Sequence, residues 1–550
     1  MLPARQRFSG MPSELPMSHL WLRHEYKPDE RRAPITPEQV GTLVAAGHEV
    51  TVESSPTRVF ADEDYRKQGA DIVPCGTWHA APEGAFILGI KEVLQEEITA
   101  DNLLLHHRHI YFAHVFKGQA HAPVTMRRFA MGRGTLLDLE YLVDEEGKRV
   151  ATFSYSAGFA GAIAAVWLWV EKQAGTPPPY ALPRHYLSRQ QFIDELRRKL
   201  DALGRAPTAL VVGAGGRSGR GAGAFLDALG IQTTRWGRAD TQAGGSFPAI
   251  LGYDILCNCV FLAQPGPPFL TRGMVEGPDA PPHRLSVVAD VSNDLSYNPI
   301  FGLSTPTKFN DAAVRVGDVD VIEIENLPAL TPLDSSTEYA GQLFPHLFGL
   351  INDEPVRDSA WERALLTYLR HHDIASLAMD SGRELGERFG EQSGGFGVDD
   401  LQEYFHALFA KNPLTPNDRL FFTDHLLAGV AQVLPAPRTE ILAALLAKSD
   451  LDDIYDAPRM GTHHALLQAV YGFSHRAAFG SVIAAGARED FHDLCDAASA
   501  AIDEQADAAG QFARARESFL ERLGPQADDP AVATFLQTIE SLLPPPAPGR

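Results

Sequence analysis

The sequence predicts an α/β protein: two Rossmann-like domains with parallel sheets around a cleft, followed by an α-helical C-terminal extension. Three observations predict it. Short apolar runs alternate with helical stretches from residue 19 to about 356. A glycine-rich turn, "GAGGRSGRG", stands between an apolar strand and a helix. From about 357 the strands cease and helical stretches follow one another. Residues 371–550 hold 27 acidic and 13 basic residues, so −14 of the net −22 lies there.

Residues 1–18 read as a loose tail without an apolar core of the secretory kind, and Met11 or Met17 serves equally well as a start. "SHLWLRHE" is a strand. In "TPEQVGTLVAAG", Thr36 caps a helix, Pro37 takes its first position and Gly47 ends it. "HEVTVES" returns as a strand and completes a βαβ unit. "ADIVPC", "AFILGIKEV" and "HIYFAHV" continue the alternation. Residues 154–171 form an apolar helix, too short and too glycine-broken to cross a bilayer. After the proline-rich "GTPPPYALPRH", "RQQFIDELRRKLDALG" is an amphipathic helix. "TALVV", "IQTTRW", "YDILCNCVFL", "LSVVADVS" and "DVDVIEIENLPAL" supply the second sheet. The domains expected are 19–153 with 328–356, then 154–327, then an acidic helical extension over 357–550. The shift near 357 reads as an independent unit, removable near 371 without loss.

Composition narrows the function. A chain of 550 residues exceeds one domain. A net charge of −22 argues against nucleic acid, whose phosphates need a basic face. Cys75, Cys257, Cys259 and Cys495 have neither disulfide-framework nor zinc spacing and suit a reducing compartment. A cytoplasmic enzyme is expected, with no metal and no membrane partner; its oligomeric state is not legible.

Backbone N–H groups at a glycine-opened helix start hold a pyrophosphate. Gly213 and Gly215 have the spacing for this, and Ser218 stands where a third glycine is usual. At the end of "IQTTRW", Gly237 replaces the acid that usually holds the adenosine ribose, and Arg238 follows it. These residues favour NADP. Lys91 in "ILGIKEV" and His114 in "YFAHVFKGQ" sit at strand ends of one sheet, where α/β proteins place their clefts. The cluster "KPDERRAP", with Lys27, Glu30, Arg31 and Arg32, reads on its own as a solvated charged loop.

"LRHEYKPDERRAPITP" resembles the opening of the alanine dehydrogenase and transhydrogenase superfamily. "ILGIKEV", "HIYFAHVFKGQA", "GTLLDLEYLVDEEGKRVATFSYSAGFAGA" and "GAGGRSGRGA" narrow the resemblance to saccharopine dehydrogenases of the L-lysine-forming type, over about 19–350. The resemblance implies reversible, NAD(P)-dependent oxidative cleavage of saccharopine to L-lysine and 2-oxoglutarate. It makes Lys91 and His114 the acid–base groups. It assigns Arg32, Lys117, Glu140, Arg149, Phe153, Ser292, Asn293 and Asp294 to substrate. Gln119, Lys148, Gly216, Arg217, Thr241, Phe261, Val291, Ile324, Glu325, Asn326 and Leu327 go to cofactor, beside Gly213, Gly215, Gly237 and Arg238. Lys148 departs from the family's arginine, Ser218 from its cysteine and Gly237 from its acid. The resemblance favours NAD. The alternatives are an opine-type or lysine–ketoglutarate reductase using NADPH, and a scaffold without activity.

Lysine titrates near 10.4, so Lys91 must be depressed by roughly two or three units to act as a base. Burial and the charges of Lys27, Arg32 and Lys117 would do this, with Glu92 opposing.

Overall fold

The computed structural model describes residues 17–93, 98, 103–116, 121–260, 267–278, 280–292, 299–300, 306–354 and 356–391, and pieces between 401 and 537. Two compact units emerge: Met1–Ala113 with Arg133–Leu365, and His114–Gly132 with Leu366–Arg550.

In the first unit β1 (His19–Leu22) leads to α1 (Pro37–Ala45). Thr36 and Gln39 cap α1 reciprocally: the Thr36 Oγ1 accepts from the Gln39 N–H and the Gln39 Oε1 from the Thr36 N–H. Pro37 lacks only an N–H the helix start does not use. Gly47, at φ 94°, turns the chain out of the helix where a side chain would strain. Then come β2 (Glu49–Glu53), α2 (Asp62–Lys67), β3 (Asp71–Val73), β4 (Phe86–Leu88), β5 (Arg108–Tyr111), α3 (Ala122–Gly132, in the second unit) and β6 (Thr135–Asp138). The strands form one sheet in the order β3-β2-β1-β4-β5-β6, parallel throughout. The order reverses between β1 and β4, and at such a switch point a crevice opens beyond the strands' carboxyl ends. Leu20, Leu22, Val50, Val52, Phe86, Leu88 and Ile110 on one face, and Trp21, Ile87, His109 and Tyr111 on the other, are buried, as covering on both faces requires.

The second sheet is preceded by α4 (Ser154–Gln173) and α5 (Arg189–Leu203). It runs through β7 (Thr208–Val212), α6 (Arg217–Ala228), β8 (Gln232–Trp236), α7 (Arg238–Thr241), β9 (Ile255–Asn258), β10 (Val287–Asp290), β11 (Val314–Val316) and β12 (Val319–Ile322). The order is β11-β12-β10-β9-β7-β8, parallel except for the β11–β12 hairpin. The chain is thus the expected two-sheet α/β fold. α4 is apolar all round because it is a core helix, with residues 158–170 buried. Among the described residues no helix is long and apolar enough to cross a membrane.

Helix α4 packs backbone to backbone on α6. A Cβ at Gly158 would overlap the Ser218 carbonyl, and one at Gly221 the Tyr155 carbonyl. Gly221→Val is therefore expected to destabilise the fold by roughly 1–3 kcal/mol or more. Denaturant unfolding checks this; an unchanged midpoint would mean the two helices separate at little cost.

Helix α8 (Pro332–Ile351) returns to the first sheet and places Tyr339, Leu343 and Leu347 in its core. The boundary expected at 357 falls ahead of Ala360, Trp361 and Ala364, whose side chains belong to that same core. They open α9 (Ala360–Glu391), which continues well past the helix read in the sequence; α10 (Pro416–Val433) follows. The other expected helices beyond 434 lie largely outside the described residues.

The second unit is not built from C-terminal residues alone. Phe116 stacks on His371 at 4.2 Å, Phe129 meets Tyr368 edge-on at 5.8 Å, and α3 packs on α10. Ending the chain at 371 would strip α10 from α3. We therefore expect that shortened chain to aggregate and lose activity, contrary to the composition-based expectation. A soluble, fully active product would show that the first turns of α9 suffice.

Candidate functional site

β4 stops at Leu88, and the lysine of "ILGIKEV" lies three residues further on. A side chain at Gly89 would displace the Arg23 guanidinium, which lies over it with Cζ 2.8 Å from where a Cβ would stand. The ladder to β5 continues past the strand through Gly89 N–H to Ile110 O (2.9 Å) and Phe112 N–H to Ile90 O (3.0 Å). The next two N–H groups, of Ile90 and Lys91, donate instead to the Glu25 carboxylate, at 2.6 and 2.9 Å. Lys91 itself is partly buried. Burial lowers its pKa most, and Arg32 and Lys27 lower it further, against Glu30 and Glu92. The Lys27 ammonium lies 3.4 Å from Glu92 and so offsets part of that opposition.

In the loop read as solvated Pro28 and Asp29 are exposed, but Glu30 and Arg32 are buried, which corrects that expectation for these two. Glu30 is 1% and Arg32 4% exposed. Glu30 accepts from Arg32 Nε (2.8 Å), Arg32 Nη2 (2.6 Å) and the backbone N–H groups of Arg31 and Arg32. Burial alone would raise Glu30; the charge and hydrogen bonds of Arg32 outweigh it, Lys91 adds to them, and the carboxyl falls to about 2. Asn326 closes the cluster, accepting from Arg32 at 2.5 Å and donating to Glu30 at 3.1 Å. The charges in the loop were visible in the sequence, but Asn326, 294 residues away, was not a visible partner.

Other expected residues gather around Arg32. Its guanidinium lies 4.1 Å over the Phe153 ring, which stacks at 4.1 Å on Tyr339. Arg149 pairs with Glu140 at 2.8 Å. Arg217, at the start of α6, donates to the Arg149 carbonyl at 3.2 Å and so ties the glycine turn to this cluster. Tyr339 was not anticipated; burial pushes its hydroxyl far up. Glu25 was missed too, though a glutamate three residues past an apolar strand is a signal.

In the glycine turn Gly213 has φ 80° and lies close to the Cys259 carbonyl. A side chain at Gly215 would meet nothing within 4 Å, and Gly216 is the N-cap of the 12-residue α6. The close approach usual for the third glycine is made one residue later, by Gly219 against the backbone of Gly213 and Ala214. An open, glycine-lined turn leading into a helix start fits a dinucleotide pyrophosphate. At the end of β8 the Asp240 carboxylate accepts from the Gly237 N–H at 2.8 Å, beside exposed Arg238 and ahead of Thr241.

Val291 and Leu327 both pack toward Gly161 of α4. Ile324 and Leu327 are core side chains, 4% and 2% exposed; Glu325 is exposed. Ser292 donates to Asp290 at 2.7 Å. Lys148 is exposed in a turn closed by its N–H on Asp144. His114 opens the second unit and holds φ 51°, a left-handed conformation uncommon for residues other than glycine. Lys117, Gln119, Phe261, Asn293 and Asp294 lie outside the described residues.

Residues 21–160 match the family described as alanine dehydrogenase/PNT, N-terminal domain. With two doubly wound sheets, this puts the chain in the class of two-domain dehydrogenases. It is 37% identical to the saccharopine dehydrogenase (NAD(+), L-lysine-forming) of Yarrowia lipolytica, covering 64% of this chain and 97% of that relative. It is 38% identical to the protein of the same name in Candida glabrata, over 64% of this chain and 96% of the relative. The chain belongs to the saccharopine dehydrogenase (NAD(+), L-lysine-forming) family. Among solved structures it is similar to an L-alanine dehydrogenase, at TM-score 0.48 and 18% identity, over 64% of this chain and 94% of that one.

Proposed function

We propose that this chain catalyses the reversible NAD-dependent oxidation of saccharopine to L-lysine and 2-oxoglutarate. The observation that carries the reading is Lys91: an amine at the carboxyl edge of the first sheet, depressed by burial and by buried Arg32. A bound nicotinamide supplies the hydride acceptor for the C–H beside the secondary amine. Before that transfer the substrate ammonium must lose a proton, and Lys91 in its neutral form accepts it. Water then adds to the resulting imine, and the carbinolamine collapses to ketone and amine. His114, whose role rests on its motif, carries protons in these two steps.

The substrate's carboxylates call for guanidinium forks, and Arg32 and Arg149 are assigned to them. Glu30 and Glu140 hold these guanidiniums in place. Lys117, Ser292, Asn293 and Asp294 are proposed to complete the substrate site, with Gln119, Lys148 and Phe261 on the cofactor. The segment 324–327 contributes to the cofactor site chiefly through Asn326 and backbone, since two of its side chains are core. The first sheet then serves substrate and chemistry, and the second serves the dinucleotide. A cytoplasmic setting fits the cysteine pattern. Product analysis tests the reading: saccharopine and NAD should yield L-lysine and 2-oxoglutarate in equal amounts. Consumption of NAD with a different amine and keto acid would assign another opine-type substrate.

Cofactor choice turns on the end of β8. Gly237 and Arg238 remove repulsion of a 2′-phosphate, whereas Asp240, drawn back to the Gly237 N–H, returns a carboxylate to that point. Asp240→Asn is expected to raise acceptance of NADP relative to NAD by about tenfold or more, the scale of one polar mismatch. An unchanged ratio of kcat/KM for the two nucleotides would free Asp240 from this role.

A further inference from the structure

Glu25 has no part in the chemistry above, yet its carboxylate is spent on the backbone of the proposed base. It is buried, 8% exposed, and accepts the N–H groups of both Ile90 and Lys91. Those two groups come where the β4–β5 ladder ends, so no neighbouring strand takes them. Arg23 lies beneath the same turn. Arg23 is 2% exposed, and its guanidinium rests over Gly89 and approaches Glu25 at 3.9 Å. The segment that follows β1 therefore sends out two buried side chains of opposite charge, one under Gly89 and one clamping the next two residues.

We infer that Glu25 is a positioning residue for Lys91: it fixes the backbone from which the ammonium enters the buried cluster of Arg32 and Glu30. The inference rests on the reading of Lys91 as the base. A carboxylate suits the task because both its oxygens accept and neither donates. The groups that face Lys91 are Arg32, Glu30, Lys27 and Glu92, and those that face Glu25 are Arg23 and Glu30. Burial raises the Glu25 carboxyl, and its two N–H donors and Arg23 counter that.

The consequence has a sign. Lys91 is depressed because it is held out of water beside Arg32. With the clamp loosened the side chain relaxes toward solvent, and its pKa climbs back toward the ordinary lysine value.

The test uses the full chain with Glu25→Gln, Glu25→Asp and, alongside them, Lys91→Met. Gln turns one acceptor into a donor that faces an N–H; Asp keeps both acceptors on a shorter arm. For Glu25→Gln we expect kcat to fall by about 10–100-fold, with KM for saccharopine and NAD within about threefold of the parent. The acid limb of its pH–rate profile should move to higher pH, and Glu25→Asp should recover part of both effects. Labelling of Lys91 by a neutral amine reagent across pH, followed by mass spectrometry, should show the same upward shift without relying on turnover. A merely structural loss would lower the yield of active enzyme and leave limb and labelling where they were; that result overturns the role of Glu25. Full turnover in Lys91→Met would instead overturn the reading of Lys91 as the base.

Discussion

Replacing Lys91 by methionine is expected to lower turnover by about 10²–10⁴, the range for a lost general base. The side chain keeps its length and apolar stem, so the buried cluster persists. Removing a positive charge beside Arg32 relieves repulsion there and weakens the support given to Glu30, so folding should change little. Nucleotide affinity should stay the same, because the glycine turn belongs to the second sheet. The pH dependence is part of the prediction. Oxidation needs Lys91 neutral, so the rate should rise with pH through its pKa. That rise should fall below the ordinary lysine value near 10.4, because burial and Arg32 disfavour the charged form. In Lys91→Met the rise should vanish. A variant with near-parental turnover and an intact pH limb would show that another group takes the proton. His114→Gln should also cut turnover by about 10²–10⁴ with binding preserved.

The second large effect is on stability. Arg32→Met leaves Glu30 buried without its guanidinium, and breaking such a pair costs about 3–5 kcal/mol. The pH response should reverse as well. In the parent, Glu30 is held at about 2, below its ordinary 4.5. Its contribution is complete above pH 4.5 and is lost as the pH falls toward 2. Without Arg32, burial raises the Glu30 carboxyl above its unfolded value. The variant is then penalised at neutral pH and recovers stability on acidification toward pH 5. Adding Glu30→Gln to Arg32→Met should restore part of the loss at pH 7. Denaturant midpoints at pH 5 and pH 7 decide it. Equal loss at both, with no recovery in the double variant, would mean that water replaces the guanidinium at low cost.

The fold was legible where local chemistry is strong. Thr36, Pro37 and Gly47 announce α1, and the turn at Gly213–Gly216 announces α6, because caps and left-handed turns depend on residues within a few positions. The two-sheet architecture followed from the alternation of strands and helices together with the glycine-rich turn. What stayed hidden depends on distant partners. The loop at Lys27–Arg32 looked solvated because charge counts do not reveal that Glu30 satisfies Arg32, or that Asn326 arrives from beyond β12. Glu25 lies in the motif "LRHEYKPDERRAPITP" without an assigned role and Tyr339 in none, and only the folded chain brings them to Lys91 and Phe153. The acidic extension looked separable because its composition differs. Its described helices nevertheless pack with α3, from the middle of the chain.

The most direct measurement is oxidation of NADH by the purified full-length chain given L-lysine and 2-oxoglutarate together. The account predicts turnover that requires both substrates, yields saccharopine, runs faster with NADH than with NADPH and falls by about 10²–10⁴ in Lys91→Met. NADH that binds but is not oxidised with this pair, or is oxidised equally well with pyruvate and ammonia, would contradict it.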